Sequence, residues 1–448
     1  MPVRWWAELA WLGDRVARGV LLEADGGRFT AITPGVPAPG QAVRLPGLTL
    51  PGLANTHSHA FHRALRGRTH GEHGTFWTWR ERMYEVAQRL TPDSYRALAR
   101  AVYAEMALAG VTCVGEFHYL HHAPGGRPYG PGGGGPNAMG DALLVAAVEA
   151  GIRLTLLDTC YLSGNIGEPL RGPQLRFGDV SAEDWAARVS GLRLPPQTRL
   201  GAGLHSVRAV PRAEMTPVVE WARERGAPLH VHVSEQRVEN DACAEAYGVT
   251  PAELLDEAGV LGPATTAVHA THLAVDDLAL LGDSGTGACV CPTTERDLAD
   301  GCGPFRALAD AGASLSLGSD SHAVIDLFEE ARAVELGERV HTERRGHFRP
   351  SELLHAATSA GHAALGWPES GWLVPGAPAD FCTVATDTPR LAGVRPDTAV
   401  ELAVFAATAA DVRQVFVGGR QIVEGGRHVL VGDVAAALDA ALREVAPA

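Results

Sequence analysis

Imidazoles and carboxylates are spaced along this chain so that they could hold a metal ion and move protons beside it. His57 and His59 flank Ser58 at the end of an apolar run. Alternate residues of a strand point the same way, so both rings can aim at one ion. His232 and Asp320 each close a later run of the same kind. Three imidazoles and a carboxylate suit Zn²⁺, whose usual ligands are N and O donors; Fe²⁺ and Mn²⁺ accept the same set. An isolated His-x-His arises by chance, so the expectation of one divalent ion rests on the joint placement of all four residues. Glu235, three residues past His232, and His269, after the next run, are expected to carry protons together with Asp320.

Elements that could bring these residues together are legible as apolar, β-branched runs alternating with Ala- and Arg-rich helical stretches. The pattern predicts strands at Thr49–His57, Val111–Phe117, Ile152–Thr159, Arg199–Leu204, Pro228–Val233, Thr265–Val268, Gly287–Cys291 and Ser314–Leu317. Helices are expected at Asp93–Ala109, Asp141–Ala150, Arg212–Arg225 and Pro251–Ala258. Eight strands alternating with helices point to an α/β fold, a (β/α)8 barrel spanning residues 49–373. An open doubly wound sheet is the rival arrangement. In a barrel the strand ends converge on one face, and polar residues accumulate at those ends: Glu116, His118 and Tyr119; Asp158 and Tyr161; His205 and Arg208; His269 and His272; Thr294 and Glu295.

The flanks, residues 1–48 and 374–430, are rich in Gly, Pro and Val and should pair into a small β-sandwich-like domain, followed by a helix in 431–448. Within them Val412–Val423 reads as a hairpin turning at Gly418–Gly419. The Gly-rich stretch Pro124–Gly140 follows the second strand, where it could be a mobile loop near a substrate or a tolerated surface insertion. Cys289 and Cys291 share one face of the seventh strand and are expected in the core.

Composition removes several classes of function. All 38 Lys+Arg are arginine, so a P-loop lysine and a Schiff-base lysine are both impossible. A formal charge of −14 leaves no basic surplus for nucleic acid. No apolar run approaches the ~18 residues of a membrane span. Met1 to Leu22 mixes Trp5 and Trp6 with Arg4, Glu8, Asp14, Arg15 and Arg18, unlike a signal peptide. Seven cysteines without a Cys-x-x-Cys pair are expected to be reduced thiols of a cytoplasmic protein.

PGLANTHSH, LHVHVSE, AVHATHL and LGSDSH resemble the metal and catalytic signatures of the amidohydrolase superfamily, in the expected order over nearly the whole chain. GWLVPGAPADFCTV resembles that superfamily's return into its small β domain. Members with two metals bridge them by a carboxylated lysine, so a chain without lysine is expected to hold one ion. HSHAFHRALRG, FWTWRERMY, GEFHYLHH, HSVRAV and CPTTERDL are most similar to the N-formimidoyl-L-glutamate deiminase family. That resemblance implies a homodimer that hydrolyses a formimino group to a formyl group with release of ammonia, in histidine degradation.

The resemblance also assigns substrate contacts to Arg80, Tyr119, His205, Arg208 and, where many relatives have Gln, His62. Such a substrate is an amino-dicarboxylate, and arginine forks bind carboxylates bidentately, which makes Arg80 and Arg208 a sensible pair. Two other functions remain open from sequence alone. One is a ring aminohydrolase of the same branch, which would not call for two arginines. The other is a barrel that has lost its metal, which would be expected to lack ligand residues present here.

Overall fold

The computed structural model describes residues 3–70 and 74–445. The outermost parts of the two terminal segments, residues 1–2 and 446–448, lie outside the described residues.

Eight parallel strands run in sequence order around a barrel: Leu53–Ser58, Val111–His118, Arg153–Cys160, Thr198–Leu204, Leu229–Val233, Thr265–His269, Gly287–Val290 and Leu315–Leu317. The second and third are buried at every position, as expected of strands covered by helices outside and by packed side chains within. Closure is made by the site residues themselves. Asp320 donates its N–H to His57 C=O at 3.0 Å, and His59 N–H reaches Asp320 C=O at 3.3 Å, knitting the eighth strand end to the first.

A second sheet combines both ends of the chain. From one edge its order is Arg427–His428, Arg420–Glu424, Val412–Val417, Phe381–Val384, Val43–Pro51, Val3–Trp11, Val16–Asp25 and Arg28–Thr33. Trp5, Phe29, Phe381 and Phe416 form its aromatic core, with Phe381 and Phe416 stacked at 4.5 Å. The hairpin turns at Gly418 (φ 56°) and Gly419 (φ 74°), values that glycine adopts without steric penalty.

The run Thr49–His57, expected as one strand, is divided between the two sheets. Val43–Pro51 pairs with Phe381–Val384 in the terminal sheet, and Leu53–Ser58 opens the barrel. Apolar character is continuous across the junction, so periodicity does not mark it. Gly52 makes the crossing possible, because a Cβ there would lie 2.1 Å from Thr112 Oγ1. The two sheets are joined by a buried ion pair: Arg153 of the third barrel strand donates from Nε and Nη2 to Asp380 at 2.6 and 3.1 Å.

Helices cover the barrel from outside. Pro92–Leu108 begins with Thr91 accepting from Ser94 N–H and with proline at its first position, where no N–H is needed. Phe76–Arg89, after the first strand, lies at the mouth and carries Arg80. Among the described residues no helix is long and apolar enough to cross a membrane. All seven cysteines are free thiols, with Cys289 and Cys291 fully buried.

Candidate active site

At the C-terminal ends of the strands three imidazoles converge through the same ring atom. His57 Nε2 lies 3.1 Å from both His59 Nε2 and His232 Nε2. Asp320 Oδ1 sits 3.5 Å from His57 Nε2 and 3.3 Å from His59 Nε2. The opposite nitrogens of two rings face backbone acceptors: His59 Nδ1 is 2.9 Å from Phe117 C=O, and His232 Nδ1 is 2.9 Å from His205 C=O. A carbonyl can only accept, so each Nδ1 carries the hydrogen and each Nε2 turns a lone pair inward. Lone pairs aimed at one another beside a carboxylate repel unless a cation lies among them. Burial and the neighbouring imidazoles hold His232 well below the usual histidine range, and burial takes His57 down to about 3. Three neutral nitrogens and one carboxylate fit a divalent ion with N/O preference.

Backbone strain helps to aim these groups. Ser234, His269, Ala270, Asp320 and His322 all have positive φ, between 39° and 68°. Non-glycine residues avoid this region, and a concentration of such residues at the strand ends is typical of functional sites. Glu116, fully buried, braces the first loop by accepting from Ser58 Oγ at 2.8 Å and Ala60 N–H at 2.7 Å. Burial raises its carboxyl to about 7 against those donors. His322 contacts Ser58 Oγ and Ser319 Oγ with its two nitrogens, and Asn55 ties Ser319 to the first strand.

Beside the convergence point lies a cavity of about 560 Å³, mouth included, and Asp320, His59 and His232 reach its floor. His62, Tyr119 and His205 form part of its wall, with His62 Nε2 2.9 Å from the Tyr119 hydroxyl. Its two arginines differ. Arg80 stacks its guanidinium over Trp77 at 4.3 Å and has no acidic partner among the described residues. Arg208 is already engaged, with Nη2 3.1 Å from Glu235 and Nε 3.3 Å from Glu239. The spacing of residues along the chain gave no sign of Glu239, which is buried and raised to about 7 by that burial despite Arg208.

His269 stacks on His232 at 5.4 Å, with Nε2 3.7 Å from Glu235 and 3.9 Å from Asp320. Burial would lower this imidazole, but Glu235, Glu295 and Asp320 outweigh it and carry it up to about 10. A cation among the neighbouring ligands would oppose that rise. Glu235, His269 and Asp320 thus border one space, and a proton could pass among them.

Other strand-end residues stand apart from the cavity. His118, His121 and Asp158 form a further buried cluster. Its carboxylate already receives the Arg188 fork and the Trp185 indole N–H, so its charge is balanced without a metal. His230, two residues before His232, faces Ala364 C=O at 2.9 Å instead. None of residues 124–140 lines the cavity. The Gly-rich stretch meets the core through the Tyr129 hydroxyl, which accepts from Arg176 at 3.2 Å, and through Met139, fully buried at the start of the next helix.

The amidohydrolase family model matches residues 48–422. A formimidoylglutamate deiminase of Pseudomonas aeruginosa is 36% identical over 437 residues, covering 94% of this chain and 95% of that one. An amidohydrolase of Brucella melitensis superposes with a TM-score of 0.90 at 33% identity, over 99% of both chains. An adenosine deaminase of Xanthomonas campestris, solved with bound zinc, gives a TM-score of 0.85 at 22% identity, over 99% of this chain and 97% of that one.

Proposed function

The chain belongs to the amidohydrolase family, and on that premise we propose that it hydrolyses N-formimino-L-glutamate to N-formyl-L-glutamate and ammonia. The observation that carries this reading is Arg80, a cation at the cavity wall with no acidic partner among the described residues. A carboxylate-bearing substrate would supply that partner; a purine or pyrimidine would not. The 36% identity to a formimidoylglutamate deiminase points the same way.

A divalent ion, Zn²⁺ in this reading, held by His57, His59, His232 and Asp320 would polarise the substrate and lower the pKa of a bound water towards about 7. The chain's own groups do the rest. Arg80 takes one substrate carboxylate in a bidentate grip, and the Tyr119 hydroxyl, oriented by His62, donates to the same end of the molecule. Arg208 offers the second contact while steadying Glu235. Asp320 and His269 accept the proton from the attacking water. Glu235 delivers a proton to the imino nitrogen as the water adds, giving a tetrahedral centre that bears O–H and NH2. The proton held by Asp320 and His269 then passes to that nitrogen, the O–H proton returns to Glu235, the C–N bond breaks, and nitrogen leaves as ammonia while the carbon becomes a formyl carbonyl. His205 hydrogen-bonds to the tetrahedral centre as charge develops there. We further infer a cytoplasmic homodimer acting in histidine degradation.

Ammonia release from N-formimino-L-glutamate by zinc-loaded protein tests this, with Arg80→Ala and Arg208→Ala as controls. Rapid release that collapses in both controls is expected. Absence of release from metal-replete protein, with turnover of guanine, cytosine or adenosine, would replace this reading with a ring aminohydrolase.

A further inference from the structure

Glu295 lies one turn into the short helix after the seventh barrel strand, away from the cavity, and it is 1% exposed. Its Oε1 accepts from Cys291 N–H at 2.9 Å, which anchors the carboxylate. That same oxygen is 3.5 Å from His269 Nδ1, a buried nitrogen that faces it and makes no hydrogen bond among the described residues. The other nitrogen, Nε2, faces the cavity carboxylates of Glu235 and Asp320. His269 therefore has one nitrogen turned to a fixed, buried acceptor and the other to the reaction space.

We propose that Glu295 is a positioning residue that keeps the hydrogen on His269 Nδ1 and so reserves Nε2 for proton exchange. The inference deepens the reading of His269 as a proton carrier in the proposed hydrolysis and rests on it. An imidazole can accept a proton only at a nitrogen that lacks one, and which nitrogen that is depends on what the other faces. Glu295 can only accept when ionised, so a hydrogen on Nδ1 satisfies it and leaves the Nε2 lone pair towards Glu235 and Asp320. A ring with the hydrogen on Nε2 would set two acceptors against each other at Nδ1 and present no base to the cavity. The strained backbone of His269 (φ 68°) and Ala270 (φ 52°) holds the ring where both contacts exist at once. The Nδ1 hydrogen stays in place through the cycle, and the proton taken at Nε2 is the one handed on.

Two substitutions separate this role from simple support of the fold. Glu295→Met removes the acceptor at similar volume. Glu295→Gln keeps an oxygen that Cys291 N–H can anchor. With N-formimino-L-glutamate, Glu295→Met should lower kcat by roughly 10²–10⁴-fold with KM within about threefold, in line with the loss when a catalytic histidine loses its orienting carboxylate. Glu295→Gln should recover at least about tenfold of that. In a His269→Asn background, Glu295→Met should cost less than about twofold more, because a residue acting through His269 has nothing left to position. Turnover of Glu295→Met within threefold of wild type, or full multiplicative loss in the double variant, would overturn the proposal.

Should Glu295→Met fail to fold, long-range ¹H–¹⁵N spectra of the zinc-loaded wild type, labelled with [¹⁵N]histidine, decide the matter. The His269 resonances are those lost in His269→Asn. A hydrogen on Nδ1 is expected, and a bare Nδ1 refutes the role of Glu295. This measurement needs no substrate. Wild-type protein inactive on formiminoglutamate would sink the proposed reaction, while the spectrum would still judge Glu295.

Discussion

Replacing Arg80 with alanine should weaken substrate binding and leave the fold almost untouched. The guanidinium has no carboxylate partner among the described residues, and its protein contacts are stacking on Trp77 at 4.3 Å and Tyr84 at 5.7 Å. Such stacking at an exposed site contributes about 0.5–1 kcal/mol, so the variant should unfold close to the wild-type temperature. Stranding a substrate carboxylate without its charged partner costs about 2–5 kcal/mol. Arg80 is half-buried on a helix at the mouth, where water can partly replace it, so the lower part of that range applies. A loss of about 2–3.5 kcal/mol corresponds to roughly 30- to 300-fold in kcat/KM at about 1.4 kcal/mol per tenfold. Most of it should appear in KM, since Arg80 holds a part of the substrate remote from the breaking bond. Arg80→Lys keeps the charge without the fork and should lose roughly tenfold. The assay is ammonia release from N-formimino-L-glutamate across substrate concentration, with metal content and melting temperature measured on the same samples. A kcat/KM within threefold of wild type for Arg80→Ala would refute the carboxylate assignment. A collapsed kcat at unchanged KM would refute the binding role.

Three further outcomes follow from the geometry. Zinc-loaded protein should hold one equivalent of ion per chain by elemental analysis and Asp320→Asn should lose it; two equivalents, or full retention in Asp320→Asn, would contradict a single four-ligand site. Glu239 has a folded-state carboxyl raised to about 7 from 4.5, so its contribution to stability is fully present below about pH 4.5 and is lost as pH rises through about 7. Thermal melts of Glu239→Gln, which cannot ionise, should therefore gain on wild type as pH rises across that window, and parallel curves would refute the assignment. Asp380→Asn weakens the buried clamp on Arg153 between barrel and terminal sheet, and the cost of about 3–5 kcal/mol expected on losing a buried partner's charge should appear in urea unfolding. A loss below about 1 kcal/mol would show that the pair is not what joins the sheets.

Local chemistry along the chain was enough to indicate the barrel. Strands buried on both faces read as continuous apolar runs, and helices such as Arg212–Arg225 end where Gly226 turns to φ 57°. The same uniform burial hid the junction at Gly52, because Thr49–His57 shows no change of pattern where the chain leaves one sheet for the other. What marks that junction is the close approach of Thr112, a residue about sixty positions away.

Residue types and spacing determined that His57, His59, His232 and Asp320 could meet, since alternation on a strand and position at strand ends are local properties. His232, expected as a ligand from its place at the strand end, shares a strand face with His230. Depth along the barrel separates them: His230 meets Ala364 C=O, and His232 reaches the other ring nitrogens. Tertiary structure likewise decided that Arg208 is shared between Glu235 and Glu239 while Arg80 is not, and that Glu295 faces His269. Those pairings join residues on different strands and loops. Charge and burial at a point depend on everything packed around it, and a one-dimensional pattern carries no distance between strands.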